Sequence, residues 1–199
     1  MARPAGAKSE DTRDAILDGA LAVFARDGFA SAPLGEVAAR AGITKGAIFL
    51  HFPGTAELFT GVIERIGRLF RQRVLSPALA ETDPSKRLVT MVHAYVSFVR
   101  ENPSVCKFLV QALLDAEAER RTAAERVFAQ SGGVVAVMLQ DAGVDYVSSP
   151  EAVADAFLAG LLGARVIGGT NGTGRADNIF EELQAQMLRR IAHDEPTAP

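Results

Sequence analysis

Cysteine, tryptophan and long apolar runs are scarce in this sequence. Its 199 residues include one cysteine, Cys106, no tryptophan and 7% aromatic residues. A single cysteine excludes an internal disulfide framework, and residues 1–10 lack the apolar stretch of a secretory signal. The longest apolar run, residues 156–164, is too short to cross a bilayer. We therefore expect a reducing, cytoplasmic location and no membrane partner.

The sequence also lacks a large excess of positive or negative charge. The formal net charge is -3, and the 48% hydrophobic and 23% charged residues are ordinary globular usage. Residues 1–75 carry 10 Lys and Arg against 8 Asp and Glu, whereas residues 76–199 carry 11 against 16. This distribution suits an anion-binding head on an acidic body. A chance difference of a few charges explains the same numbers, because domains that bind DNA by charge alone are far more basic.

Catalytic and metal-binding patterns are missing. The three histidines, His51, His93 and His193, are far apart, and none has the His-x-x-x-His spacing of a metal site. Cys106 has no histidine nearby in the sequence, which argues against a catalytic thiol. The glycine-rich stretch 168–174 follows no strand and lacks the Gly-x-Gly-x-x-Gly register of a phosphate loop. We expect the protein not to be an enzyme and to have no metal or cofactor site.

Strand patterns are nearly absent, and helical periodicity takes their place. Residues 144–147 are the only strand candidate, and they are too few to matter. Elsewhere apolar residues recur at helical spacing, with glycine, proline or an N-capping residue at segment ends. The predicted fold is all-α, with about nine helices near residues 11–27, 33–41, 44–50, 56–76, 85–102, 104–116, 119–141, 151–167 and 176–193.

The helices at 33–41 and 44–50 form a candidate helix-turn-helix. A short turn containing a glycine, Gly42, joins them, and in such a motif the second helix can enter the DNA major groove. Thr44 is the predicted N-cap of the second helix, and Lys45 offers a phosphate or guanine contact. Gly46 and Ala47 are small enough to let that helix approach the bases. An αα-hairpin without a ligand has the same pattern, so both interpretations stay open.

Five short blocks of sequence follow one another at a characteristic spacing: 16–24 (ILDGALAVF), 27–29 (DGF), 36–38 (EVA), 41–49 (AGITKGAIF) and 51–52 (HF). With these blocks, residues 16–58 resemble the DNA-binding region of the TetR family of bacterial transcriptional regulators. The resemblance implies a homodimer, each subunit having a three-helix DNA-binding head and a divergent helical body that binds a small effector and dimerises through its last two long helices. It implies a flexible arm at 1–9, a helix-turn-helix DNA-binding domain at 10–55, a connecting helix at 56–76 and an effector-binding and dimerisation domain at 77–194.

The resemblance also assigns roles around the second helix. Ala47 and Leu50 are expected to touch thymine methyl groups, while Arg3 and Lys8 could reach a minor groove. The usual burial of aromatic rings instead favours core positions for Phe49 and Phe52. The implied DNA-facing residues are Thr44, Lys45, Gly46, Ala47, Phe49, Leu50, His51 and Thr55.

Four positions depart from the family pattern. Pro33 stands where a threonine is usual, and Gly35 where a basic residue is frequent. Phe49 replaces a tyrosine and Thr55 a common lysine. Each change removes a phosphate contact, which reduces the affinity for DNA and its salt dependence. These positions put the strength of DNA binding in question but not the fold.

The acidic part of the chain contains candidates for a dimer interface and an effector pocket. Small residues at i+4 spacing from Ala152 to Ala164 allow close helix packing, although an ordinary core has the same pattern. The dimer candidates are Ala156, Phe157, Gly160, Leu161, Ala164, Phe180, Leu183 and Met187. The effector candidates, which are equally typical of plain core, are Met91, Tyr95, Phe98, Phe108, Gln111 and Phe128.

Together these features predict a ligand-responsive, sequence-specific DNA-binding regulator. We expect a dimeric repressor that a small apolar effector of unknown identity releases from double-stranded operator DNA. The alternative is a helical dimer that binds a small molecule or a partner and has weakened or lost DNA binding.

Overall fold

The fold is helical throughout the part of the chain that the computed structural model describes. That part comprises residues 5–144, 148–167 and 175–193, and it contains no strand, as predicted. Each of the nine predicted helices is present. The helices are α1 (Ala5–Asp27), α2 (Leu34–Arg40), α3 (Lys45–His51), α4 (Thr55–Phe70), α5 (Ser76–Leu79), α6 (Pro84–Glu101), α7 (Pro103–Leu113), α8 (Ala118–Asp141), α9 (Pro150–Ile167) and α10 (Arg175–His193).

The first helix is longer than predicted. The sequence predicts an arm at residues 1–9, but α1 begins at Ala5. Alanine has the highest helix propensity, and the chain has Ala5 and Ala7 where the arm was expected. Arg3 and the side chain of Lys8 lie outside the described residues.

The helix predicted to end before Pro77 continues past it, so this prediction was wrong. α4 passes into a π-helical segment, Arg71–Leu75, and then into α5, which has Pro77 in its first turn. The N–H of Ser76 donates to the carbonyl of Arg71, five residues earlier. Proline is tolerated in the first turn of a helix, where its missing N–H is not needed. The wider π turn thus provides a new first turn in which Pro77 fits.

The chain divides into two compact units that differ from the predicted domains. One unit is formed by residues 1–66 and 107–125, the other by residues 67–106 and 126–199. The sequence placed everything from residue 77 onward in one effector-binding and dimerisation domain. In the structure, most of α7 and the start of α8 (residues 107–125) belong to the first unit instead.

The core of the first unit is an aromatic cluster. Phe24 on α1, Phe59 on α4 and Phe108 on α7 are at most 2% exposed, with ring centroids 5.2 to 6.3 Å apart. Phe29 packs edge-on against Phe24 at 5.4 Å, and the guanidinium of Arg120 lies 4.5 Å from the Phe29 ring. Burial of these rings holds segments from distant parts of the sequence together.

The core of the second unit is built around Tyr95 on α6. Its ring contacts Phe70 edge-on at 5.5 Å and Phe157 at 5.8 Å, and its hydroxyl donates to the carbonyl of Leu158 at 2.9 Å. Burial raises the pKa of this phenol well above its usual 10. Tyr95 therefore connects α6 to α9 by both packing and a hydrogen bond.

Within the described ranges no single helix is long and apolar enough to span a membrane. One bent pair, Lys45–His51 with Thr55–Leu79, reaches that length and composition only when its two parts are taken together across a bend of 68°.

Candidate nucleic-acid interface

The turn between α2 and α3 has the geometry that its glycine requires. Gly42 has a φ of +69°, a left-handed conformation that other residues adopt only with strain. The N–H of Gly42 donates to Ala39 O at 3.2 Å, and that of Ile43 donates to Ala38 O at 3.0 Å. These bonds satisfy carbonyls at the end of α2 and direct the chain into the next helix.

Thr44 caps α3 as predicted. Its backbone is extended, with φ -82° and ψ 155°, and its Oγ1 accepts from the N–H of Ala47 at 3.3 Å. This bond satisfies one N–H that the helix itself leaves unpaired. The cap fixes where α3 begins and therefore which of its side chains face outward.

The inner side of the helix-turn-helix is buried, and its first helix, α2, packs closely against α1. Val37 and Ala38 on α2 and Ile48 on α3 are at most 2% exposed. A Cβ at Gly19 of α1 would lie 3.2 Å from the Val37 carbonyl, so the missing side chain permits this close approach. The two short helices thus have a defined position within the first unit.

Ion pairs at the edge of this packing connect α1 with α2. The guanidinium of Arg26 contacts the carboxylate of Glu36 at 2.7 and 2.6 Å and also pairs with Asp27. Arg40 reaches the same Glu36 carboxylate at 3.1 Å. Hydrogen bonds from Arg26, and then from Arg40, lower the pKa of Glu36 to about 2. Sequence reasoning missed this network: the i+4 spacing signals Glu36–Arg40, but nothing local signals Arg26.

The outward side of α3 carries most of the predicted DNA-facing residues. Leu50 is 86% exposed and Phe49 44% exposed. Thr44, Lys45 and Gly46 are also exposed, whereas Ala47 and His51 are half-buried. Because Ile48 points inward and successive residues turn by about 100°, Gly46 and Leu50 lie on the opposite side of the helix.

Phe49 and Phe52, for which the sequence favoured core positions, differ in burial. Phe49 is exposed on α3, so the core interpretation was wrong for it. Phe52, just beyond the helix, is 2% exposed, and the guanidinium of Arg13 lies 4.7 Å from its ring. A Cβ at Gly61 of α4 would approach the Phe52 ring to 2.8 Å, so this glycine makes room for the ring. Position relative to the inward Ile48 decides which ring is buried.

The remaining departures from the family pattern also lie on the surface. Pro33 is the N-cap residue of α2 and makes no side-chain cap hydrogen bond. Gly35 is exposed, and a Cβ there would meet no atom within 4 Å. Thr55 is exposed at the start of α4. A Cβ at Gly35 therefore fits without rearrangement.

The predicted effector residues are divided between the two units. Met91, Tyr95 and Phe98 are buried in the second unit, where Phe128 is half-buried. Phe108 and Gln111 belong to the first unit, and Phe108 is part of its aromatic core. None of the six lines a cavity of about 140 Å³ in the second unit, whose lining is Gly67, Arg71, Leu75, Val127, Gln130, Ser131 and Val134.

The predicted dimer residues divide between core and surface. Phe157, Leu161, Ala164, Phe180 and Met187 are at most 5% exposed within a single chain. A Cβ at Gly160 would contact Leu183 Cδ1 at 3.4 Å, so the small-residue stripe partly serves to pack α9 on α10. Ala156 is exposed and lines a groove of about 290 Å³ with Ala152, Val153, Phe157, Leu183, Gln186, Met187 and Ser148.

Cys106 is fully buried, and burial raises the pKa of its thiol to about 12. A thiol with so high a pKa is a poor nucleophile at neutral pH, because the thiolate is the reactive form.

Comparison with known proteins agrees with the geometry of the first unit. Residues 16–62 match the family described as bacterial regulatory proteins, tetR family. The matched residues, which include α2 and α3, are therefore similar to the TetR family. A 63-residue segment is 43% identical to the HTH-type transcriptional regulator SrpR of Pseudomonas putida, covering 32% of the chain and 30% of SrpR. A 64-residue segment is 44% identical to the HTH-type transcriptional regulator AcrR of Shigella flexneri, with the same two coverages.

The fold extends the likeness beyond these segments. The matched part spans less than a third of the length of either relative. A solved structure, AibR in complex with isovaleryl coenzyme A and operator DNA, is similar with a TM-score of 0.72 and 18% identity, covering 90% of this chain and 99% of that one. At this identity the likeness shows that the two proteins share a fold.

Proposed function

We propose that this protein is a sequence-specific DNA-binding transcriptional regulator of the TetR family. The observation that carries the proposal is the outward side of α3. A capped helix held by a glycine turn exposes Lys45, Gly46, Phe49 and Leu50 together, while Ile48 on its inner side is buried. This arrangement suits insertion of α3 into the major groove.

The charges of the first unit give DNA binding a limited electrostatic component. Lys45 on α3 is exposed and suited to a phosphate or a guanine. Pro33, Gly35 and Thr55 add no positive charge around it. Since each neutralised phosphate contributes about -0.9 to the slope of log K against log salt, we propose a moderate salt dependence in which base contacts supply much of the selectivity.

We propose that two copies of the chain bind one site. Two α3 helices about 34–36 Å apart would read a pseudo-palindromic sequence. The exposed Ala152 and Ala156 beside the groove between α9 and α10 give a second copy small side chains against which to pack closely. Continuity of this groove with the buried α9–α10 contact supports the second copy as its occupant.

The finer proposal is a repressor that a small molecule releases from DNA. The similar AibR structure contains isovaleryl coenzyme A together with operator DNA, which supports a helical body able to receive an effector. α4 begins in the first unit and ends in the second. A conformational change on effector binding could therefore be transmitted to the first unit through this helix. By linkage, DNA would weaken effector binding by the same factor as the effector weakens DNA binding.

Fluorescence anisotropy tests the DNA-binding proposal. The protein is titrated into labelled duplex from the region upstream of its own gene, beside a scrambled duplex, at several salt concentrations. Salt-dependent binding that prefers the native duplex is expected, and Lys45→Ala should weaken it without changing the melting temperature. A control variant, Lys86→Ala on α6, should bind as the unaltered protein does.

The opposite result favours the alternative. If every duplex, including those selected from a random pool, is bound equally weakly and Lys45→Ala changes nothing, the proposal fails. The helical dimer with lost DNA binding then accounts better for Pro33, Gly35, Phe49 and Thr55.

A further inference from the structure

The outward side of α3 is unusually apolar. All seven residues of α3 are described, and the two with the largest apolar side chains outside the core are adjacent in sequence, Phe49 and Leu50. Leu50 has the highest exposed fraction, 86%, among the large apolar side chains that the described ranges leave exposed. Gly46, four residues earlier, lies beside it on the same side and adds no side chain. Leu50 therefore projects past its neighbours.

The same helix lacks the side chains that read bases by paired hydrogen bonds. Arginine reads guanine with two bonds, and asparagine or glutamine reads adenine in the same way. None of these occurs between Lys45 and His51. Lys45 offers a single charged group, and His51 is half-buried at the end of the helix. Hydrogen bonds from α3 alone would therefore leave the base unspecified at most positions of a DNA site.

Thymine is the base that an apolar side chain distinguishes. Its C5 methyl group projects into the major groove, where no other base of DNA presents one. Burial of a methyl group against Leu50 would remove apolar surface of both from water.

We infer that Leu50, flanked by Phe49, recognises thymine methyl groups and thereby fixes thymine at particular positions of the site. The inference rests on the proposed function and adds to it the kind of base that α3 reads. Insertion of Leu50 requires the backbone of α3 to lie close to the groove, which the absence of a side chain at Gly46 permits.

Deoxyuridine substitution tests the inference directly. Duplexes bound by the unaltered protein are first enriched from a random pool, and each thymine of the enriched site is then replaced by deoxyuridine. This change removes the methyl group and leaves every Watson–Crick hydrogen bond in place. At the thymines that Leu50 contacts, affinity is expected to fall about fourfold per methyl group.

Variants assign the effect to the side chain. In Leu50→Ala the affinity for the thymine duplex should fall and the deoxyuridine effect should vanish at those positions. Leu50→Met, which keeps an apolar side chain of similar reach, should retain most of it. The matched control is Leu114→Ala, which shortens another leucine of the first unit that is 79% exposed and should leave the deoxyuridine effect intact.

The outcomes separate the inference from the proposed function. If a site is enriched but no deoxyuridine substitution weakens binding, the protein binds DNA selectively and the inference is wrong. If the effect persists in Leu50→Ala, its assignment to Leu50 is wrong. If no sequence is enriched by the unaltered protein, the proposed function and the inference both fail.

Discussion

Arg26 on α1 forms a two-point ion pair with Glu36 on α2, with N–O distances of 2.7 and 2.6 Å. The residues are ten apart in sequence, and their contact closes the edge of the packing that positions the helix-turn-helix. Arg40 approaches the same carboxylate at 3.1 Å. The Glu36 carboxylate is thus paired with one arginine from each of the two helices.

We predict that this pairing makes the stability of the first unit depend on pH. The pKa of Glu36 is lowered from 4.5 to about 2 in the folded chain. A lowered folded-state pKa gives stabilisation that is complete above about pH 4.5 and lost as the pH falls toward 2. The melting temperature of Glu36→Gln should therefore lie below that of the unaltered protein at neutral pH, and the difference should shrink in this acid range.

Both residues are exposed, so the effect of Glu36→Gln should be small. The control, Glu64→Gln, makes the same change at an exposed position of α4 in the same unit. Thermal unfolding followed by circular dichroism from pH 2 to 7 measures all three proteins. A difference between Glu36→Gln and the unaltered protein that stays constant down to pH 2 would contradict the prediction.

Gly46→Ala is expected to strengthen the fold and weaken DNA binding. A Cβ at this exposed helical position meets no atom within 4 Å, and alanine is more favourable than glycine in a helix by roughly 0.5–1 kcal/mol. On DNA the added methyl group would hinder the approach of α3, so we expect at least a tenfold loss of affinity in anisotropy titrations.

Gly35→Ala is the matched control for this experiment. Gly35 is also exposed, is the second residue of its helix as Gly46 is of α3, and has open space around its Cβ position. It should give a similar gain in stability with little change in affinity. Equal affinities for the two variants would show that α3 does not approach DNA at Gly46.

Gly35→Arg should restore a charge that the resemblance leads one to expect near the DNA backbone. Gly35 is exposed and no atom lies within 4 Å of its Cβ position, and one additional phosphate contact would steepen the slope of log K against log salt by about 0.9. Affinity should rise for native and scrambled duplexes alike, because phosphate contacts carry no sequence information. Gly35→Gln, with a long neutral side chain, should leave the slope unchanged.

Tyr95→Phe should destabilise the second unit by about 1 kcal/mol. The change keeps the ring contacts with Phe70 and Phe157 but removes the hydrogen bond to the Leu158 carbonyl. Tyr95→Leu also removes the ring contacts and should cost more, roughly 2–4 kcal/mol. Urea unfolding measures both variants. If Tyr95→Phe were as stable as the unaltered protein, the hydroxyl would be free for the effector role that the sequence suggested.

The sequence predicts the local features of this protein well because short-range chemistry determines them. Gly42 in the turn and Thr44 as an N-cap are each recognisable from a few neighbouring residues. Periodicity likewise places Ile48 inward and so determines the exposed side of α3.

Features that depend on contacts between distant segments were not predictable in this way. Nothing near Phe108 indicates that it packs with Phe24 and Phe59 rather than lining a pocket. The pairing of Arg26 with Glu36 depends equally on tertiary packing. Helical spacing reports which side of a helix is apolar but not which segment covers it.

The composition of the first unit limits how the protein can be divided. Its aromatic core takes Phe24 and Phe59 from residues 1–66 but Phe108 from residues 107–125, and the Arg120 that covers Phe29 comes from the second stretch as well. A fragment ending near residue 66 would leave this core open, so the DNA-binding head is not a transferable N-terminal module. During synthesis the head cannot complete its core until about 125 residues have emerged, and a chimera that exchanges heads between relatives must carry both stretches.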